Sequence, residues 1–296
     1  MFMNGWLWQF PTLDQASLRA LKKAFDSGYR GFSRSYGDAI EAFFDPLLYF
    51  LVWFERLLLA APWWIVIVVV AFVCWVAGRS RKLSITVAAA LFLIGYLGMW
   101  EDTMRTLAII FVSTLIAIAI GIPVGIWMSR SDRVQALITP ILDIMQTMPI
   151  FVYLIPVVML FGLGKIPGLI AVVIYAVPPV IRLTNLGIRL VDKEVLEAAD
   201  AFGTDTWRRL FDIQMPLALP NIMAGVNQTI MMALSMVVIA SMIGVKGLGQ
   251  PVLQAVTNQY FALGLFNGAA VVALAIVFDR ITQSYGRRIQ TSRQTS

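Results

Sequence analysis

Glu197-Ala198-Ala199-Asp200-Ala201-Phe202-Gly203, followed by Ile213-Gln214-Met215-Pro216, forms a polar island in an otherwise apolar chain. Asp192 is placed to cap a helix, and Glu194 sits in its first turn, where negative charge complements the helix dipole. Val195, Ala198, Ala199 and Phe202 then recur on one helical face, while Lys193, Glu197 and Asp200 fall on another. Gly203 stands where a helix ends on a left-handed residue. Thr204 or Asp205 can cap the next turn, and Pro216 and Pro220 lead back into apolar sequence. Such a loop is built as a rigid lever. Its alanines allow close backbone approach of a partner, and its acidic face can meet basic groups.

The surroundings of this island define the class. The chain has 296 residues, 59% of them hydrophobic and 14% charged, whereas soluble domains carry about 25% charged residues. A helical crossing takes about 20 apolar residues. The expectation is an all-α polytopic membrane protein with about seven transmembrane helices, at 62–78, 83–99, 103–128, 134–162, 167–190, 217–243 and 263–281. Trp63 and Trp64 read as interfacial anchors, and Trp100, Glu101 and Asp102 mark the opposite interface.

The net charge of +6 does not point to nucleic acid. Arg79, Arg81, Lys82, Arg130, Arg133, Arg280, Arg287 and Arg288 lie at the ends of apolar runs, the positive-inside pattern. Parity over seven crossings then puts 79–82, 129–133, 189–209 and 280–293 in the cytoplasm, with the N-terminus outside and the C-terminus inside. The basic residues of the first 60 positions do not oppose this, because long segments translocate largely regardless of charge.

The chain has no histidine and one cysteine, Cys74. That removes the commonest metal ligand and general base, so no catalytic residue and no metal ligand is expected. Met1 to Thr12 lack the pattern of a signal peptide. Two amphipathic helices are expected at 15–30 and 39–59, lying in the interface. A crossing at 43–60 is the alternative, opposed by Glu55-Arg56 at membrane depth. The domains read as 1–60, an external amphipathic segment; 61–100, two accessory transmembrane helices; 101–285, a membrane core with its cytoplasmic loop at 191–216; and 286–296, a basic cytoplasmic tail.

The spacing of Glu197-Ala198-Ala199, Gly203 and Ile213-x-Met215-Pro216 resembles the cytoplasmic signature loop of ABC importer permeases, with Met215 at the usual Leu position. The resemblance covers roughly 100–288. Gly121-Ile122-Pro123-Val124-Gly125, Asp143-Ile144-Met145-Gln146-Thr147-Met148-Pro149, Phe151 to Pro156, Ala224 to Thr229 and Leu234-Ser235-Met236 to Gly249 are similar to the glycine betaine/proline branch. It implies a five-helix type I importer core in a bacterial cytoplasmic (inner) membrane. It also implies a second copy of this chain, two ATP-binding subunits that hold ATP and Mg, and an external substrate-binding protein. No cofactor is expected in this chain, and no binding domain is fused before Ser296.

Within that resemblance, Glu197, Ala198, Ala199, Asp200, Phe202, Gly203 and Pro216 are expected to couple to the ATPase. Asp143, Gln146, Thr147, Tyr153, Asn227, Gln228, Thr229 and Ser235 are candidates for the translocation path, with helix–helix hydrogen bonding as the competing role. Pro178, Pro179 and Arg182 are read as transmitting motion. Gly162-Leu163-Gly164-Lys165-Ile166 falls short of a P-loop, having Met159 for the first glycine and Ile166 for Ser/Thr; it reads as an outer turn. Two alternatives stay open: the same machine with another small cargo such as an amino acid, and a gradient-driven secondary transporter, which predicts inverted half-repeats.

Overall fold

The structure is a computed structural model that describes residues 12–294, with side chains left out at 285 and from 287 onward. Residues 1–12, where no signal peptide was expected, and the side chains of the basic tail therefore fall largely outside the described residues. The order is α1 (Gln15–Ala60), α2 (Trp63–Gly78), α3 (Arg81–Tyr96), α4 (Trp100–Arg130), α5 (Asp132–Thr147), α6 (Ile150–Phe161), α7 (Lys165–Arg189) and α8 (Lys193–Ala201). Then come a turn α9 (Thr206–Arg208), a π-helical stretch (Arg209–Gln214), α10 (Met215–Ala240), α11 (Gly249–Asn258) and α12 (Phe261–Gln294). No strand occurs among the described residues.

The chain divides into units 1–46 and 47–296. The two amphipathic helices expected at 15–30 and 39–59 are one, α1, of 46 residues, of which 47–60 belong to the second unit. Around residues 31–38, which contain two glycines and two serines, Tyr29, Phe32 and Tyr36 form a ring ladder with centroids 6.5 and 5.4 Å apart. Leu18, Leu21, Phe25, Phe32 and Tyr36 are exposed.

In the second unit the core lies among α4, α7 and α10. Glycines bring these helices together. A Cβ on Gly121 would lie 2.3 Å from Val180 Cγ1, and one on Gly125 would lie 2.6 Å from Thr184 Cβ and 2.8 Å from the Ile181 carbonyl oxygen. Small residues at such crossings let membrane helices approach closely enough for van der Waals packing to hold them. The side chain of Thr106 completes the opposite end: its hydroxyl donates to the Asp102 carbonyl and accepts from the Leu248 N–H at 2.9 Å. Glu55 is buried and paired to Lys165 at 2.7 Å, which accounts for a charge that looked expensive at this position.

Length and apolarity single out four spans among the described residues: α4, α7, Thr206–Ile243 and Phe261–Ser284. Two bent pairs, α1 with α2 and α5 with α6, bring the number to six. Helices α2 and α3 occupy the positions expected for accessory crossings but have 16 residues each, about 24 Å of rise against roughly 30 Å of hydrocarbon. The left-handed Arg79 ends α2, and Ser80 caps α3 by accepting from Leu83 N–H.

The single helix expected over 134–162 is instead α5 and α6, bent by 97°. Pro149 is the cause. It has no N–H to donate, and it drives the preceding residue out of the helical region; Met148 has ψ 131°. A turn follows α6 where one was expected, with Gly162 and Gly164 at positive φ.

Candidate functional site

The loop at 191–216 is held by side chains at both ends. The Asp192 carboxylate accepts from Glu194 N–H at 3.0 Å, and Asp205 caps the next turn by accepting from Trp207 N–H at 3.3 Å. Helix α8 closes on a paired bond pattern: Thr204 N–H donates to the Ala199 carbonyl and Gly203 N–H to the Asp200 carbonyl, with Gly203 at φ 72°. Both bonds require the left-handed glycine between them.

Along the α8 stripe Val195, Ala198 and Phe202 are exposed, Phe202 to 91%, while Ala199 is buried. Phe202 is the residue at which the chain leaves α8 for the turn. Glu197, Ala198 and Phe202 thus offer an acidic, small and aromatic surface to another molecule. Asp200, in contrast, is engaged: Arg209 Nη1 donates to both its carboxylate oxygens, at 2.9 and 2.8 Å.

Residues that sequence reasoning did not select do much of the anchoring. The Arg189 guanidinium donates to Asp132 at 2.7 Å, Asn185 at 3.1 Å and the Met128 carbonyl at 2.9 Å, tying the end of α7 to α4 and α5. Arg130 donates to the Thr206 carbonyl and lies 4.8 Å above the Trp207 ring, which stacks on Phe211. These arginines were visible only as positive charge on one side of the membrane. Pro216 stands at the start of α10, directly after the π-helical stretch. The wider turn ends where a residue lacking an N–H enters the ladder, a position at which proline costs little.

The path candidates do not form one cluster. On α5, Asp143 pairs with Arg182 of α7, the Thr147 hydroxyl donates to the Asp143 carbonyl at 2.9 Å, and Gln146 is exposed. On α6, Tyr153 is buried, its hydroxyl without a partner, and its ring stands edge-on to Tyr175 at 6.3 Å. On α10, Asn227 donates to Asp279 at 3.0 Å and accepts from Thr282, while Gln283 donates to both Asp279 oxygens. That network ties α10 to α12 beside a hollow lined by Pro220, Met223, Asn227, Thr282 and Gln283. Gln228 is exposed, Thr229 is buried with an unpartnered hydroxyl, and Ser235 bonds back to the Met231 carbonyl. Asp279 and Arg182, the partners that give these polar groups their meaning, were missed as path residues because each lies far from its partner in sequence.

Long apolar helices packed through glycines, joined on one side by a short cap-bounded helix with an outward acidic and aromatic surface, define an all-α membrane transport component. The chain belongs to the family of binding-protein-dependent transport system inner membrane components, which matches it over residues 117–291. It is similar to the glycine betaine/proline betaine transport system permease protein ProW of Escherichia coli K12, with 48% identity covering 82% of this chain and 68% of that one. It is 47% identical to the glycine betaine/carnitine transport permease protein GbuB of Listeria monocytogenes, over 79% of this chain and 83% of the relative. It is 43% identical to the glycine betaine transport system permease protein OpuAB of Bacillus subtilis, over 86% and 88%.

Among solved structures, an inward-facing form of the MetNI methionine ABC transporter matches with TM-score 0.55 and 21% identity, covering 63% of this chain and 92% of that chain. An amino acid ABC transporter matches with TM-score 0.56 and 22% identity, covering 67% and 97%. These likenesses show a type I importer permease fold. The chain is a membrane-embedded permease component, and its family implies an ATPase and a substrate-binding protein as partners.

Proposed function

We propose that this chain forms the translocation pathway of an ATP-driven importer for glycine betaine or a related quaternary amine. The observation that carries the cargo is the identity of 43–48% to three permeases named for glycine betaine transport. Two copies of the chain pair in the membrane, two ATPase subunits bind ATP and Mg on the cytoplasmic side, and an external binding protein delivers solute. The N-terminus lies outside and the C-terminus in the cytoplasm, with α2 and α3 as accessory crossings and the core from 101 to 285. The stripe Leu137, Ile141 and Ile144 on α5, exposed within one chain, is the face at which the copies meet in this reading.

Helix α8 acts as the coupling helix. Glu197, Ala198 and Phe202 seat in a groove of the ATPase. Asp200, Gly203 and Pro216 keep the lever stiff, so that closure of the ATPases moves α7 and α10 as bodies. The exposed and unbonded side chains of the loop are the ones that fit docking, whereas Asp200 is committed to Arg209 and Gly203 to the turn. Co-purification tests this reading. The chain, expressed with its genomic neighbours and extracted in mild detergent, retains a stoichiometric ATPase, and Glu197→Lys loses it. A variant that keeps its full complement of ATPase would refute the coupling role of α8.

A further inference from the structure

The polar groups at the end of α5 sit beside a break in the membrane helix. Non-helical backbone at membrane depth is tolerated where it is buried in protein or lines a water-filled cavity, and broken spans accordingly mark solute sites in transport proteins. Residues 148–149 are such a break, and Asp143, Gln146 and Thr147 are all exposed on the turn before it. Across from them on α7 stands Arg182, about 10 Å of helix rise before Arg189, inside the apolar zone instead of at its edge.

Asp143 and Arg182 form an ion pair with side-chain exposures of 57% and 37%. A pair left this open cannot face hydrocarbon cheaply, and it is not closed off by its own chain. The guanidinium meets Asp143 through Nη2 alone, and its side chain is 37% exposed. Its other terminal nitrogen can therefore engage a second anionic group. Two opposite charges, accessible, net neutral and incompletely bonded, match a solute that is itself two opposite charges with no net charge.

We propose that the Asp143–Arg182 pair is the hand-over site for a zwitterionic cargo, which opens the pair by exchanging ions with it. The cargo carboxylate accepts hydrogen bonds from the Arg182 guanidinium, which can bind it through two donors. The quaternary ammonium has no N–H and is held by the charge of Asp143 alone. No net charge is moved into the apolar zone during the exchange, and the pair re-forms between α5 and α7 once the solute has left. This assignment rests on the quaternary-amine reading given above and names the residues that would enforce it.

The test uses the whole complex, permease with its ATPase and binding protein, in proteoliposomes with labelled glycine betaine. Arg182→Gln and Asp143→Asn each lower the maximal uptake rate by at least about tenfold, the loss of one charge-assisted bond. Arg182→Lys, which keeps charge but not the fork, falls between. The double variant Arg182→Gln/Asp143→Asn separates the roles. A pair that merely ties two helices is restored when both charges are removed together, whereas a cargo site is lost. Uptake by the double variant as low as by the single ones, from complexes that elute intact on size exclusion, supports the proposal. Wild-type uptake by the double variant overturns it while leaving the importer reading untouched. Failure of the unmutated complex to move any trimethylammonium carboxylate overturns both.

Discussion

Helices α5 and α7 are neighbours joined by an ion pair, yet α7 is largely buried by its own chain and α5 is not. Along α7, every turn from Pro167 to Ile188 has buried residues, and glycines of α4 and α10 fit against it. Along α5, Leu142 is the buried residue, while Leu137, Ile141 and Ile144 stand exposed beside Asp143 and Gln146. The difference separates scaffold from working surface. A helix packed along its whole length by its neighbours is suited to transmit movement as a body; one left half-bare is suited to the roles proposed above for α5.

The largest effect is expected where the scaffold is tightest. Gly125→Leu places a side chain against Thr184 and the Ile181 carbonyl, a backbone atom that cannot rotate away. Overpacking of this kind costs about 1–3 kcal/mol or more where backbone is the obstacle. Fluorescence-detected size exclusion should show loss of the folded permease. An enlargement at exposed Leu137, Leu137→Phe, should leave the elution profile unchanged. Equal damage at both positions would erase the contrast between the helices.

Replacing Leu137, Ile141 and Ile144 together by Ser should separate copies while each remains folded, read as a halved mass in light scattering. Intact pairs after that change would move the interface elsewhere. A smaller effect is expected at the lever's own brace. Arg209→Ala frees Asp200 and loosens α8, and we expect a loss of about tenfold in uptake per ATP hydrolysed, equivalent to about 1.4 kcal/mol of coupling. Unchanged coupling would make the Asp200–Arg209 bond incidental. The smallest effect belongs to the cap: Asp192→Ala removes one hydrogen bond, worth about 1 kcal/mol, and should speed amide exchange across 193–201 about fivefold.

Much of the scaffold was legible because apolar run length and punctuation are local. The caps at Asp192 and Asp205, the left-handed Gly203 and the close-packed Gly121 and Gly125 could all be read from neighbouring residues. The break of α5 from α6 was legible in principle, since Pro149 constrains Met148, but an unbroken apolar run hid it. The ion pairs were illegible for a different reason. Asp143 with Arg182, Asn227 with Asp279 and Glu55 with Lys165 join residues far apart in the chain, and nothing local ties one partner to the other. Among the path candidates, those whose partners lie on another helix could be named by type but not given a role until the helices were placed.

The central claim is that this permease moves a small zwitterion at the expense of ATP hydrolysed by a docked partner. The most direct measurement is uptake of labelled glycine betaine into proteoliposomes containing the chain alone, the chain with its ATPase, and the full set with the binding protein. Each is assayed with internal or external ATP or with an imposed ion gradient. Uptake confined to the full set and to ATP on the ATPase side is the predicted result. Uptake by the chain alone, driven by the gradient and indifferent to ATP, would contradict the account.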